Sequence, residues 1–128
     1  MRTGRVNAHR EAVLRLTIRG PAGQRQNVEA VIDTGFDGWL SLPPALITSL
    51  GLPWRRRGRA QLADGSDSIF DIYEGIVVWD RRQRRIPVDE ADTTPLIGMA
   101  LMEGYELKVQ VCTRGKVTVK RLPRGRRP

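Results

Sequence analysis

Cysteine, histidine and aromatic side chains are scarce in this chain of 128 residues. Cys112 is the one cysteine and His9 the one histidine, so the sequence offers no disulfide partner and no Cys/His set for zinc. A catalytic Ser/His or Cys/His pair would have to be built on His9, and no glycine-rich phosphate loop of the Walker type is present. We therefore expect a protein that uses no metal and no cofactor.

Long apolar runs are also missing. No stretch approaches the about 20 apolar residues that span a bilayer, and the arginines near the N-terminus precede no apolar segment of a secretory signal. A chain of this length with 40% apolar residues is sufficient for one globular domain with a core. Since a single cysteine also suits a reducing compartment, we predict a cytoplasmic protein without membrane contact.

Acidic side chains are absent from residues 113–128, which contain seven lysines and arginines and account for most of the formal net charge of +8. Basic stretches of this kind bind phosphates, but no aromatic residues alternate with these arginines to stack on bases. Both a solvated basic tail and a weak contact with nucleic acid therefore stay open. We expect residues 123–128 to be disordered and residues 1–11 to be a flexible N-terminal segment.

The rest of the chain, residues 12–122, is predicted to be one domain rich in β-strands. Alternation of apolar and polar residues, first seen at 12–19, is typical of strands and recurs along the chain. Pro44 favours the first turn of a short helix that ends before Gly51. The dipeptide Asp64-Gly65 between two extended segments predicts a hairpin.

The most informative segment is Val31-Ile32-Asp33-Thr34-Gly35, an apolar strand that ends in one ionisable group. Aspartate is rarely buried unless it is paired or functional. Thr34 can form local hydrogen bonds, and Gly35 allows main chain or ligand to approach closely. The segment therefore predicts a carboxyl group at the end of a strand, held in fixed surroundings.

Asp33-Thr34-Gly35 resembles the active-site triplet of the aspartic proteases, and its single copy in a short chain resembles the retropepsin-like branch, including its small bacterial members. A second match, Leu96-Ile97-Gly98 before a short apolar helix, resembles the segment behind the catalytic loop of that family. The resemblance extends from Leu14 to Val119. It implies an all-β fold: a closed β-barrel with a flap hairpin and one or two short helices, active as a two-fold dimer.

The resemblance also implies an activity, the hydrolysis of peptide bonds in a protein or peptide substrate. In this family two carboxyls share one proton, because like charges in contact do not both ionise. With one triplet per chain, Asp33 from each subunit of a homodimer would supply the pair. Thr34 would form hydrogen bonds across the two-fold axis, and Gly35 would leave room for the substrate main chain.

Further residues take roles from the same resemblance. Those implied to bind substrate follow the triplet or form the flap tip: Phe36, Asp37, Ala63, Asp64, Gly65 and Ser66. Those implied to support the site from behind are Leu96, Ile97 and Gly98.

Several of these roles have alternatives that the sequence leaves open. Asp37 fits a loop-capping residue as well as a substrate-binding one, and the hairpin fits an ordinary surface turn. The chain also departs from the viral pattern, since Met99 stands where an arginine is common and Phe36 is bulky. A C-terminal strand also builds the dimer sheet of viral members; the strand at 116–122 could serve here, but the basic residues after it would repel their copies across a two-fold axis.

Three functions are compatible with the sequence. The first is an aspartic endopeptidase that acts as a homodimer. The second is a retropepsin-like module that binds a peptide or partner without cutting it. The third is a basic nucleic-acid-binding β-domain, which no base-specific pattern supports.

Overall fold

The computed structural model describes residues 1–126. Ten strands and two short α-helices form within this range. Their bounds are β1 Arg2–Val6, β2 Ala12–Arg19, β3 Arg25–Ile32, β4 Leu40–Leu42, α1 Pro44–Ser49, β5 Trp54–Gln61, β6 Asp67–Trp79, β7 Arg82–Glu90, β8 Leu96–Ile97, α2 Met99–Met102, β9 Tyr105–Val109 and β10 Lys116–Arg121. Arg124–Arg126 adds a turn of 3-10 helix.

Six of the strands in this part of the chain close into a barrel in the order β2, β3, β8, β4, β7, β6. The closing contact is the antiparallel pair of β6 and β2, in which Ile18 lies opposite Val77 and Arg19 opposite Ile76. Leu16, Leu40 and other fully buried side chains fill the interior. The all-β class and the closed barrel predicted from the resemblance are confirmed.

Helix α1 begins and ends as the sequence predicts. Pro44 occupies the first turn, where its missing N–H has no intrahelical partner to lose. Gly51 follows with a φ of 61°, a left-handed conformation that favours glycine. Among the described residues, no helix has the length and apolar character to cross a membrane.

The hairpin of β5 and β6 is longer than the sequence predicts. It is paired from Trp54 opposite Tyr73 to Gln61 opposite Asp67. Strand β6 then continues through Gly75 to Trp79 and pairs with β7. Strand β5 carries exposed arginines and almost no buried residue. It therefore lacks the apolar alternation that reveals a strand in a sequence, and pairing with β6 is what holds it extended.

The N-terminal segment differs from its expected flexibility. Arg2–Val6 forms β1, which pairs with β10 along Arg2 to Arg5 and with β2 at its end. Val6 is buried, and its main chain exchanges hydrogen bonds with the turn before β10, through Arg114 and Gly115. The sequence hides this strand because Val6 is its one apolar core residue, and its stability comes from pairing with distant segments.

Strand β10 lies between β1 and β9 and is paired along both edges. It therefore offers no free edge on which a second copy could build the dimer sheet expected at 116–122. In the tail predicted at 123–128, Arg124–Arg126 forms a 3-10 turn. The last two residues of that predicted tail, 127 and 128, lie outside the described residues.

Candidate active site

Asp33 stands at the carboxyl end of β3, where two distant segments meet. Strand β3 runs parallel to β8, with Ile32 opposite Ile97. The main-chain N–H of Asp33 donates a hydrogen bond of 2.9 Å to the carbonyl oxygen of Ile97, and Val31 donates one of 2.9 Å to Pro95. These bonds fix the position at which the carboxyl leaves the sheet.

The triplet then turns tightly around the carboxyl. The N–H of Gly35 donates to Asp33 Oδ1 at 2.9 Å, and the N–H of Phe36 donates to the carbonyl oxygen of Asp33 at 3.1 Å. Asp33 itself is half-buried, whereas Thr34 and Gly35 are exposed. The carboxyl is thus oriented by its own loop while the loop surface stays accessible.

The segment around Gly98 braces this loop from behind. Gly98 donates to the carbonyl oxygen of Trp39 at 3.0 Å, Met99 to that of Phe36 at 2.8 Å, and Ala100 to that of Gly38 at 3.0 Å. A Cβ on Gly98 would collide with the carbonyl oxygen of Gly38. The close packing of the two segments therefore requires glycine at position 98. Leu96 and Ile97 precede it on β8, half-buried and fully buried respectively.

Phe36 lies across two glycines. Its ring carbons are 2.5 and 2.7 Å from the point where a Cβ on Gly38 would stand, and 2.8 Å from that point on Gly98. The ring is half-buried and also lines the cleft described next. The bulky Phe36 therefore fits after the triplet because Gly38 and Gly98 have no side chains to collide with its ring.

A cleft of about 880 Å³ runs past Asp33. Its floor includes Asp33, Gly35, Phe36 and Asp37, and one wall is formed by residues 59–61 and 68–70 of the hairpin. A volume of this size is typical of ligand-binding clefts. The structure thus brings the triplet and the stems of the hairpin together around one opening.

The hairpin tip does not line this cleft. Asp64 Oδ1 accepts hydrogen bonds from the N–H and the hydroxyl of Ser66, at 2.9 and 2.6 Å. These bonds lower the pKa of Asp64 and organise the turn. Gly65 completes it with a φ of 88°, and Ala63 precedes these residues in the same exposed turn. In a single chain, therefore, the stems and not the tip face the triplet.

Sequence reasoning missed six polar residues of the cleft. Arg59, Gln61 and Ser68 belong to the hairpin stems, and Ser41, Asp89 and Glu90 belong to β4 and β7. The two acids end β7, directly after the apolar residues Ile86 and Val88. An acidic pair at the end of an apolar strand is the same signal that revealed Asp33, and it could have drawn attention to them. Ser41 gave no such signal, since it sits between two leucines of a short strand.

Asp89 is the perturbed carboxyl of the cleft. Burial raises its pKa, the charge of Arg56 acts in the opposite direction, and the charge of Asp37 raises it further. Its Oδ2 lies 3.5 Å from the point where a Cβ on Gly38 would stand. Asp37 and Asp89 therefore approach the same corner of the cleft from different elements.

A second hollow, of about 510 Å³, lies on the other side of the triplet. Thr34 and Asp37 border it together with α2 and the start of β9, including Met99 and Leu107. Met99 is an exposed large apolar side chain, at 46%. Asp37 thus lies between the two openings.

No three His, Cys, Asp or Glu side chains of residues 1–126 are grouped so that they could hold a metal ion. The chemistry that the site can perform with these residues is acid–base chemistry on carboxyl groups.

Comparison with known proteins adds one finding. No protein-family model matches the chain, and no curated protein matches it. Among solved structures it is similar to a retropepsin-like aspartic protease from Rickettsia conorii, with a TM-score of 0.57 and 12% identity over 93% of this chain and 88% of that one. It is also similar to the EIAV protease in complex with an inhibitor, with a TM-score of 0.54 and 15% identity over 75% of this chain and 88% of that one. The likeness shows that the fold is that of the retropepsin-like aspartic proteases.

Proposed function

We propose that this protein is an aspartic-type endopeptidase that acts as a homodimer. The observation that carries the proposal is the arrangement of Asp33, whose carboxyl is held by the N–H of Gly35 and whose main chain is tied to Ile97, at the floor of a peptide-sized cleft. Hydrogen bonds from the loop and the neighbouring strand hold this carboxyl in place, so it can meet a substrate in a fixed orientation.

The mechanism requires two such carboxyls that share one proton. The ionised one takes a proton from a water molecule as the water oxygen attacks the scissile carbonyl carbon. The protonated one donates its proton to the carbonyl oxygen, and a tetrahedral diol forms. When the C–N bond breaks, the leaving nitrogen receives a proton and the carboxylic acid product is released.

One chain has one Asp-Thr-Gly triplet, so the second carboxyl would come from a second copy related by a two-fold axis. Two features support an axis near Thr34. Thr34 is exposed at the top of the loop, and the hollow beside it presents Met99 and Leu107 to solvent. We place the interface on this face; β10 is paired along both edges and offers no edge to a second copy.

The substrate would be an extended peptide lying between the triplet and the hairpin stems. Main-chain groups at the cleft can recognise a peptide of any sequence, whereas pockets for its side chains give specificity. Movement of the β5–β6 hairpin over the bound peptide would exclude water and bring the tip residues 63–66 towards it.

The test is the cleavage of a diverse peptide library by the wild type and by Asp33→Asn, with the oligomeric state of both recorded on the same samples. The proposal expects cuts by a wild-type dimer and none by the variant. A wild-type dimer that binds peptides and cuts none would instead establish the silent binding module. A protein that stays monomeric at every concentration tested, yet cuts peptides, would overturn the two-copy mechanism.

A role in binding nucleic acid has less support. Arg121, one of the seven basic residues near the C-terminus, forms an ion pair of 2.7 Å with Asp80 and lies over the ring of Tyr105. A cation engaged within the fold is less available to phosphate groups than one that is free.

A further inference from the structure

We propose that the cleft contains a subsite for a cationic side chain of the peptide substrate, with arginine as the best match, formed by Asp37, Asp89 and the hydroxyl of Ser41. The inference rests on the proposed peptide cleft. It concerns which side chain binds there and not how the peptide bond is cut.

The sheet register directs Ser41 and Asp89 into the cleft, and Asp37 reaches it from the loop after the triplet. Ser41 of β4 lies opposite Asp89 of β7 and opposite Leu96 of β8. One position earlier, Leu40 lies opposite Val88, and both are fully buried in the barrel core. Because successive side chains of a strand point to opposite faces, Ser41, Asp89 and Leu96 face away from the core and line the cleft.

Ser41 is the feature that points to a ligand. Its side chain is 4% exposed, and among the described residues it is the buried polar residue of an otherwise apolar set. Its Oγ is buried and has no hydrogen-bond partner in the part of the chain that the structure describes. A buried hydroxyl without a partner is unfavourable. An N–H donor of a ligand in the cleft would give the Ser41 Oγ the hydrogen bond that it lacks.

The carboxylates of Asp37 and Asp89 enter no ion pair among residues 1–125, whereas burial and then the charge of Glu90 raise the pKa of the Tyr73 hydroxyl. Within residues 1–125 the ion pairs use other acids, namely Glu74, Asp71, Asp67 and Asp80. Asp37 and Asp89 repel each other, and burial of Asp89 adds to the cost of its charge. A cation placed between the two carboxylates would relieve both effects.

Two basic groups lie near this corner, and neither forms an ion pair with Asp37 or Asp89 among the described residues, although the attraction of Arg56 for Asp89 is larger than the repulsion from Asp37. Arg59 lines the cleft, but its guanidinium is 3.8 Å from Asp67 and its side chain is 70% exposed. Arg56 attracts Asp89 without entering an ion pair with it among the described residues. The cleft lining therefore holds four carboxylates, including that of Asp33, and one guanidinium.

An arginine side chain matches these groups better than a metal ion does. The described acids are not grouped for metal coordination. A guanidinium presents five N–H donors in a planar fork, which can reach carboxylates on two elements and a hydroxyl between them. Hydrogen bonds from a cation to carboxylates are also stronger than neutral ones.

The test measures binding and keeps it separate from cleavage. Fluorescently labelled decapeptides are prepared in pairs that differ by arginine or citrulline at one position, which is moved along the peptide. Citrulline keeps the shape of arginine and removes its charge. Binding to the Asp33→Asn protein is measured by anisotropy. We expect arginine to bind about tenfold more tightly than citrulline at one position of the peptide.

Three variants assign that preference to the subsite. Asp89→Asn and Ser41→Ala, each made in the Asp33→Asn background, are expected to reduce the arginine preference. Asp92→Asn is the matched control, because it removes the same charge from an exposed residue that does not line the cleft. It is expected to keep the preference. Thermal melts establish that each variant folds, and Asp37→Asn replaces Asp89→Asn if the latter does not.

The outcomes separate this inference from the proposed function. Equal binding of arginine and citrulline at every position, absence of binding by every peptide, or a preference that survives Asp89→Asn would overturn the subsite. A wild type that hydrolyses peptides without an arginine preference overturns the subsite alone. An Asp89-dependent arginine preference in a protein that never hydrolyses a peptide supports the subsite and overturns the protease.

Discussion

Gly98 lies directly against the carbonyl oxygen of Gly38, so closely that a Cβ on Gly98 would overlap that oxygen and also approach the Phe36 ring to 2.8 Å. The contact joins the loop after Asp33 to the segment that begins α2. The backbone φ of Gly98 is −96°, which any residue can adopt. Position 98 therefore requires glycine for steric reasons and not for conformational ones.

We therefore expect Gly98→Ala to destabilise the protein severely, by about 3 kcal/mol or more, because main chain and not a flexible side chain must move. Gly125→Ala is the matched control, since nothing lies within 4 Å of its Cβ position, and it is expected to be neutral. Denaturant titration of the two variants measures the difference. A Gly98→Ala protein as stable as the wild type would show that the two segments are not packed in this way.

Asp33→Asn is expected to abolish hydrolysis and to preserve the fold. The amide oxygen of asparagine can still accept the hydrogen bond from Gly35, but the group no longer exchanges a proton with water. General acid–base catalysis accounts for about 100- to 10,000-fold in rate, so kcat is expected to fall by at least this factor. Asp92→Asn serves as the charge-matched control. Activity of Asp33→Asn near that of the wild type would remove Asp33 from the mechanism.

Met99→Glu is expected to convert a dimer to monomers and to remove activity with it. The change places a charge in the hollow beside Thr34, where a second copy would bury it. Val111→Glu is the control, because Val111 is also apolar and exposed, at 70%, but lines neither the cleft nor the hollow. Analytical ultracentrifugation and peptide cleavage on the same samples measure both effects. A Met99→Glu dimer with full activity would place the interface elsewhere.

The network around Asp80 predicts a dependence of stability on pH. A hydrogen bond of 2.8 Å from the Tyr105 hydroxyl lowers the pKa of Asp80, and Arg121 at 2.7 Å lowers it further. An acid with a lowered pKa stabilises the fold above its ordinary pKa, and this contribution is lost as the pH falls through the lowered value. Asp80→Asn is therefore expected to lower the melting temperature at neutral pH and to match the wild type in strong acid.

Asparagine tolerates the left-handed conformation that Asp80 adopts, with a φ of 52°. The substitution thus isolates the charge from the backbone. An Asp80→Asn deficit that is equally large at every pH would assign the effect to shape and not to ionisation.

Asp89 is expected to change the pH dependence of stability in the direction opposite to that of Asp80. Burial raises the pKa of Asp89. The stabilisation linked to this group is therefore fully present below its ordinary pKa and is lost as the pH rises through the raised pKa. Asp89→Asn is therefore expected to melt at a higher temperature than the wild type at neutral pH, with no advantage in strong acid. Melting curves across this range measure it. A variant that is less stable at neutral pH would mean that the Asp89 charge is compensated within the fold.

Much of the local structure was accessible from the sequence. Helix α1 follows from Pro44 and Gly51, and the turn at Asp64-Gly65 follows from the φ that this dipeptide permits. These features are predictable because they depend on residues a few positions apart.

The strands that escaped prediction have the opposite character. Strand β1 is mostly polar, and β5 is exposed along most of its length, so neither shows apolar alternation. The extended form of β1 depends on β10, a partner remote in the sequence. That of β5 depends on β6, its neighbour in the predicted hairpin, and the pairing extends β5 back to Trp54.

The candidate site also has a part that is predictable from the sequence and a part that is not. The sequence determined that Asp33 closes an apolar strand in a tight turn with Gly35, because a strand's end and a turn are local properties. Only the tertiary structure decided that Ser41 and Asp89 meet on one face beside that turn, because the parallel pairing of β4 with β7 joins segments more than forty residues apart along the printed sequence. Parallel strands are connected through long crossovers, so their register, and the side chains it brings together, is set by packing of the whole barrel.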